Sequence, residues 1–332
     1  MYDVYGVGNA LVDFEFEVSD NDLLKWNIEK GLMTLIEEER HYELLDQLKK
    51  SQHSRACGGS AANTVIAVTQ LGSKSFYSCK VGNDETGEFF INDLRANGVE
   101  TNMTLESRAE GATGKCLVMI TPDAERTMNT FLGITSEVSE KELSVDSIAK
   151  SDIVYVEGYL VSSPTALNAA LEAKRHAKAN HKKIAVSLSD VSMVKFFREG
   201  LEQLVGEDEK VDILFCNANE AFEFTGTDTI EAAVESLKLR AEHFIITLGA
   251  EGSVFFDGRT LQTCKPFAVS PIDTNGAGDL FAGAFLFGLT QGWPMEKSAH
   301  LASYASSVLV TQFGPRLNAE NLAKVKAFMH QM

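Results

Sequence analysis

Positive charge is what this sequence has least to spare. Thirty Lys and Arg residues stand against 47 Asp and Glu, for a formal net charge of −17. Nucleic acid and anionic membrane are bound by a positive face, so neither is expected as a partner. No apolar run is long enough to suggest a membrane span. No basic stretch precedes an apolar one at Met1-Tyr2-Asp3-Val4-Tyr5, which argues against a secretory signal. The five cysteines, Cys57, Cys79, Cys116, Cys216 and Cys264, are scattered, odd in number and without a CxxC pair. They read as reduced thiols of a cytoplasmic protein, not as disulfides or a zinc site. Two phosphate-binding signatures are also missing. There is no Gly-x-x-x-x-Gly-Lys-Ser/Thr, and Gly6-Val7-Gly8 lacks the third glycine and the following helix of a dinucleotide fingerprint.

What is present is a large apolar fraction, 44% of 332 residues, enough for one large α/β domain or a domain with an insertion. Short apolar runs at 3–8, 76–81, 153–157, 184–188, 213–216, 244–248 and 253–256 read as strands. Helical patterns alternate with them at 61–71, 86–97, 164–179, 219–225, 230–240, 278–291 and 295–313. This alternation predicts a mostly parallel sheet covered on both faces. Two stretches break the rhythm. Val12, Phe14, Phe16 and Val18 alternate with Asp13, Glu15 and Glu17, and 115–131 forms short strand-like pieces around Pro122-Asp123. Period-two alternation predicts a half-exposed sheet, hence a small β insertion over one edge of the main domain. The expected division is 1–10, 40–100 and 132–332 for the large α/β part, with 11–39 and 101–131 for the insertion. The acidic run Glu37-Glu38-Glu39 reads as a solvated helix face.

The run Asp273-Thr274-Asn275-Gly276-Ala277-Gly278-Asp279 precedes a helix that is greasy on every side. Bare backbone N–H groups at a helix N-terminus favour negative charge. A carboxylate placed beside them suits a base acting on a hydroxyl while the amides hold developing charge, or it is simply a helix-terminal charge. A second glycine cluster, Cys57-Gly58-Gly59-Ser60-Ala61-Ala62-Asn63, also runs into a helix; it is a close-approach loop with Asn63 facing a hydroxyl, or an ordinary turn. Asn9 and Asp13 lie at a strand's C-terminal end, and an amide with a carboxylate suits vicinal hydroxyls. Asn217 and Glu220 share one face of a starting helix, where they would organise the water shell of Mg²⁺ or form a cap. Thr247-Leu248-Gly249-Ala250-Glu251-Gly252 follows another strand with small residues and a hydroxyl suited to nucleotide phosphates.

In this order, nearly end to end, these motifs resemble the ribokinase-type (PfkB) family of carbohydrate and nucleoside kinases. The resemblance implies a three-layer α/β/α fold with a small β-sheet lid over the substrate. It implies Asp279 as catalytic base, Gly276, Ala277 and Gly278 as anion hole, and Glu220 near Mg²⁺. ATP is then expected along Thr247, Gly249 and Gly252, with Asn217 and Asn275 beside it and the adenine near the final helices. The Asp279 carboxylate is expected to be ionised at neutral pH, because the helix N-terminus favours that form.

The segments Gly8-Asn9-Ala10-Leu11-Val12-Asp13, Gly114-Lys115, 125–130 and Gln312-Phe313-Gly314-Pro315-Arg316 look most like the adenosine kinase-like branch. That resemblance implies that Asn9, Asp13, Gly58, Gly59 and Asn63 hold a ribose whose 5′-hydroxyl faces Asp279. Arg126 is then the cation that reaches the transferred phosphate, the alternative being a surface lid charge. An apolar slot for a purine is expected, with Phe14, Phe16, Leu35, Met119 and Phe131 as candidates, although residues of this kind are more often simply lid core. The resemblance also implies a monovalent-cation loop of 311–315 with Asp273 and Asn275, hence activation by potassium. Asp190 fits a metal or phosphate role and a loop cap equally. Sugars and sugar acids (ribose, fructose, 2-keto-3-deoxygluconate) are the alternative acceptors. A monomer, or a homodimer joined through lid-sheet edges, fits equally.

Overall fold

The computed structural model describes residues 1–48, 52–123, 125–206 and 209–332. An eight-stranded sheet runs, in spatial order, through Leu261–Cys264, Ser253–Phe256, Ala241–Thr247, Val211–Asn217, Lys183–Ser187, Ser151–Glu157, Tyr2–Val7 and Ser75–Ser78. Its pairings are parallel except at the first two strands. The strands are apolar on both faces because both are covered. In Ser151–Glu157, Ile153 and Tyr155 enter one core while Val154 and Val156 enter the other. This is the layered α/β architecture that strand-helix alternation predicts.

On one face, helix Ala277–Thr290 lies between Ser60–Leu71 and Met295–Leu309. Close approach is possible because Gly283 meets Ala67 and the Thr64 carbonyl; a Cβ there would sit 2.6 Å from each. This crossing brings the starts of two helices, and their polar residues, together.

The smaller sheet has five strands, in the order Met33–Leu35, Arg126–Phe131, Gly114–Ile120, Leu11–Glu17 and Gln52–Cys57. Residues 40–48 and 52–57, expected with the large part, instead belong to helix Glu38–Leu48 and to the edge strand of this unit. The expected half-exposure is also corrected. Asp13 and Glu15 are buried, with Gly58 against the first and Gly314 near the second, and on that face of Leu11–Glu17 Glu17 is exposed. Phe16 packs on the other face with Leu23, Leu44 and Leu48 of two covering helices. Glu37, Glu38 and Glu39 are exposed, and the last two open helix Glu38–Leu48. No helix among the described residues is long and apolar enough to cross a membrane.

Candidate active site

Five neighbouring parallel strands end beside one cavity of about 1030 Å³, the middle one, Lys183–Ser187, through Ser187. Asn9, Glu157, Asn217 and Thr247 lie at or just past those ends and line it. Open α/β sheets place ligands at such carboxyl ends. The smaller sheet closes the far side with Asp13, Cys116, Arg126, Met128 and Thr130.

Asp279, in the first turn of helix Ala277–Thr290, is the focus of the polar floor. Its Oδ1 accepts from the Ser60 hydroxyl at 2.7 Å and its Oδ2 from the Asn63 amide at 2.9 Å. Burial pushes its pKa above the usual carboxylate range, opposed by these two hydrogen bonds and by Arg126 and Arg316. The preference for the charged form expected at this helix N-terminus is thus opposed by burial. Gly276 caps the helix at φ 72°, and a Cβ there would meet Pro315 at 2.5 Å. Ala277 also lines the cavity and donates its N–H to the Thr274 carbonyl at 3.2 Å within the turn. Gly278 lines the cavity, with open space where a Cβ would project.

Around this floor, Asp13 is buried and pushed up to about 7 by burial and by Glu15, with Arg316 and Asn275 opposing. Gly58 packs directly beneath the Asp13 carboxylate and lies outside the cavity lining. Gly59, at φ 86°, abuts the Asn9 carbonyl and lines the cavity. Arg126 reaches from the smaller sheet and donates to the Asn275 side-chain oxygen at 2.9 Å.

Asn217 and Glu220 form a reciprocal cap. The Asn217 amide donates to Glu220 Oε1 at 2.6 Å, and the backbone N–H of Asn217 donates to Oε2 at 3.0 Å. Burial pushes Glu220 up to about 7, and Asp190 adds to the shift. Asp190 itself caps the helix beginning at Val191 and lines the same cavity. Among the described residues, no cluster of three or more His, Cys, Asp or Glu could hold a metal alone. Two carboxylates facing one cavity nonetheless fit Mg²⁺ that arrives on nucleotide phosphates and keeps its waters. Gly249 and Gly252 shape the turn after Thr247 but lie outside the cavity lining. Asp273 is buried behind it, accepting backbone N–H groups from Asn275 at 2.8 Å and Gly314 at 2.7 Å.

Three participants escaped the sequence reading. Ser60 carried a visible signal, a hydroxyl directly after two glycines. Glu157 had only its place at a strand end; it accepts N–H groups from both Asn9 and Ala61 at 2.7 Å. Arg316, far along the chain, donates to Asn63 Oδ1 at 2.9 Å and pairs with Asp93. Of the residues expected to form a purine slot, only Leu35 lines the cavity. Phe14 and Phe16 share strand parity opposite to Asp13 and so point away; Met119 pairs with Phe16, and Phe131 packs on His41.

Residues 32–322 match the model of the pfkB family carbohydrate kinases, and the chain belongs to that family. It is therefore a phosphotransferase that uses ATP and an alcohol acceptor. A crystal structure of adenosine kinase from Sinorhizobium meliloti is 34% identical, covers 98% of this chain and 99% of its own, and superposes with a TM-score of 0.92. A probable sugar kinase from Rhizobium etli is 33% identical over 98% of both chains, with a TM-score of 0.93. Adenosine kinase of Saccharomyces cerevisiae is 27% identical, over 96% of this chain and 98% of its own.

Proposed function

We propose that this kinase transfers the γ-phosphoryl group of ATP to the primary 5′-hydroxyl of a ribonucleoside, with adenosine as the lead acceptor and AMP as its product. One observation carries the reading beyond the family. Beside the polar floor, the cavity has an apolar wall of Leu11, Leu32, Met33, Leu35, Met128 and Leu132. A sugar alone would leave such a wall wet, whereas a purine attached to a ribose would cover it. Asn9, Asp13, Gly59 and Asn63 would hold the ribose, an amide and a carboxylate suiting its vicinal hydroxyls.

In this reading Asp279 orients the acceptor hydroxyl and accepts its proton. The hydroxyl oxygen forms its bond to the γ-phosphorus as the bond to the β,γ-bridging oxygen breaks, and ADP leaves with that electron pair. The transition state for such transfer is largely dissociative, so the proton arrives late and positioning matters most. Gly276 and Gly278 offer backbone amides, and Arg126 a guanidinium, to the moving phosphoryl oxygens. Asn217, Thr247 and Asn275 would line the nucleotide side. Mg²⁺ near Glu220 would neutralise phosphate charge. Asp273 is buried with no salt-bridge partner among the described residues, which fits a monovalent cation beside the 311–315 turn. Turnover is expected to be higher in potassium than in a large organic cation, and equal rates would count against that site.

The second reading is a sugar or sugar-acid kinase. It is favoured by the lack, among the described residues, of any aromatic side chain from the smaller sheet in the cavity lining, since purines commonly stack on aromatics. ADP release from ATP–Mg²⁺ with nucleosides, pentoses, hexoses and sugar acids separates the two. A sugar turning over while adenosine does not would overturn the nucleoside assignment.

A further inference from the structure

Asn63 touches both Asp279 and Arg316, and its amide has two ends of opposite character. An arginine side chain can only donate, so the end facing Arg316 must be the oxygen. The NH₂ end is thereby left facing the Asp279 carboxylate, at 2.9 Å. A flipped amide would set oxygen against oxygen at Asp279 and two donors against each other at Arg316. Asp93, on helix Glu85–Ala96, pairs with the other side of the guanidinium and fixes its position. The segment that carries Arg316 is itself keyed to the Asp279 helix. Pro315 packs on Gly276, Gly314 donates to Asp273, and Gln312 donates to the Arg316 carbonyl at 2.7 Å.

We infer that Arg316 is a positioning residue for the phosphoryl transfer: held by Asp93, it locks the Asn63 amide so that Asp279 presents one fixed face to the acceptor hydroxyl. The inference rests on Asp279 being the base. Ser60 and Asn63 each occupy one carboxylate oxygen, so both oxygens are fixed in place and the remaining lone pairs have a defined direction.

Charge acts in the same direction. The groups around Asp279 are mostly acidic or neutral: Asp13 from the smaller sheet, Tyr155 and Glu157, Tyr77, and Tyr159 and Glu220 across the cavity. Two cations oppose them, Arg126 and Arg316. Arg126 hydrogen-bonds Asn275, whereas Arg316 is joined to Asp279 through Asn63. Removing it raises the pKa of nearby carboxylates, so the acid limb of the rate profile moves to higher pH.

The test compares the wild-type chain with Arg316→Met and Arg316→Gln. Rates are followed by ADP release across pH with ATP–Mg²⁺ and adenosine, or the panel acceptor that wild type phosphorylates. For Arg316→Met, kcat is expected to fall about 10- to 100-fold, the range for losing an orienting partner. Its acid limb is expected to move to higher pH. Arg316→Gln keeps an N–H donor for Asn63 but loses the charge. Its alkaline plateau should stay within about tenfold of wild type while its acid limb still moves. An unchanged kcat in Arg316→Met, or a fall with an unmoved acid limb, overturns the inference. If Arg316→Met does not fold, an unmoved limb in Arg316→Gln overturns it. Asp279→Asn at full rate would sink the base assignment itself, whereas an inactive Asp279→Asn beside a silent Arg316→Met sinks only this inference.

Discussion

Asp279 is tied down by a hydroxyl and an amide, and neither bond depends on the carboxylate's charge for its geometry. Asp279→Asn keeps the shape and an oxygen acceptor while removing the proton acceptor. The rate is therefore expected to fall by roughly 10²–10⁴, as for loss of a positioned base. The melting temperature should change little, because burial already disfavours the charged form. A paired measurement of ADP release and thermal unfolding checks both halves. The importance of Asp279 was legible in sequence, since the glycines and the carboxylate are contiguous. Its partners were less so. Asn63 was expected to meet a ligand hydroxyl, not Asp279 itself. Arg316 acts across 253 positions of sequence separation, and the segment 312–316 carried the family resemblance without showing which residue its arginine meets.

At the scale of the helix that starts at Ala277, its two flanking glycines do different jobs. Gly276 is left-handed and pressed against Pro315, so Gly276→Ala should cost about 1–2 kcal/mol for backbone conformation alone, with the clash added. Gly278 is helical with open space before it, so Gly278→Ala should fold with nearly wild-type stability. Its added methyl would narrow the approach to the cavity floor, and loss of activity without loss of stability is the expected result. Melting curves beside steady-state rates decide it, and equal stability of the two variants would contradict the assignment.

Legibility at this scale followed apolar content. The buried strands and Ser60–Leu71 were foreseeable because they are rich in β-branched or small apolar residues. Gln52–Cys57 reads Gln-His-Ser-Arg-Ala-Cys, an edge strand with almost no apolar pattern, and it was missed. The aromatic slot failed for a different reason. Alternation shows that two faces differ but not which one looks at a ligand, although Asp13 and Phe14 being adjacent already put them on opposite sides.

For the whole molecule, three buried carboxylates, Asp13, Glu157 and Glu220, are each raised to about 7. In the unfolded chain they titrate near 4. A carboxylate raised in the folded state contributes stability that is present below its unfolded pKa and lost as pH rises through the folded one. The ligand-free protein should therefore lose melting temperature between about pH 4 and pH 7, and the formal net charge of −17 adds self-repulsion in the same direction. ATP–Mg²⁺ should recover part of the loss by mass action. A flat melting temperature across that range would contradict the assignment of these groups.

The hydrogen bond from Arg316 to Asn63 also bears on biosynthesis. Asn9, Asp13 and Asn63 leave the ribosome early, and Asp279 and Arg316 leave it late. A nascent chain thus carries half of the cavity floor, but no carboxylate set beside the glycine amides and nothing to orient the amide of Asn63. Full turnover of ATP has to await translation of the 312–316 turn, so a chain that stops short of it is a catalytically impaired one.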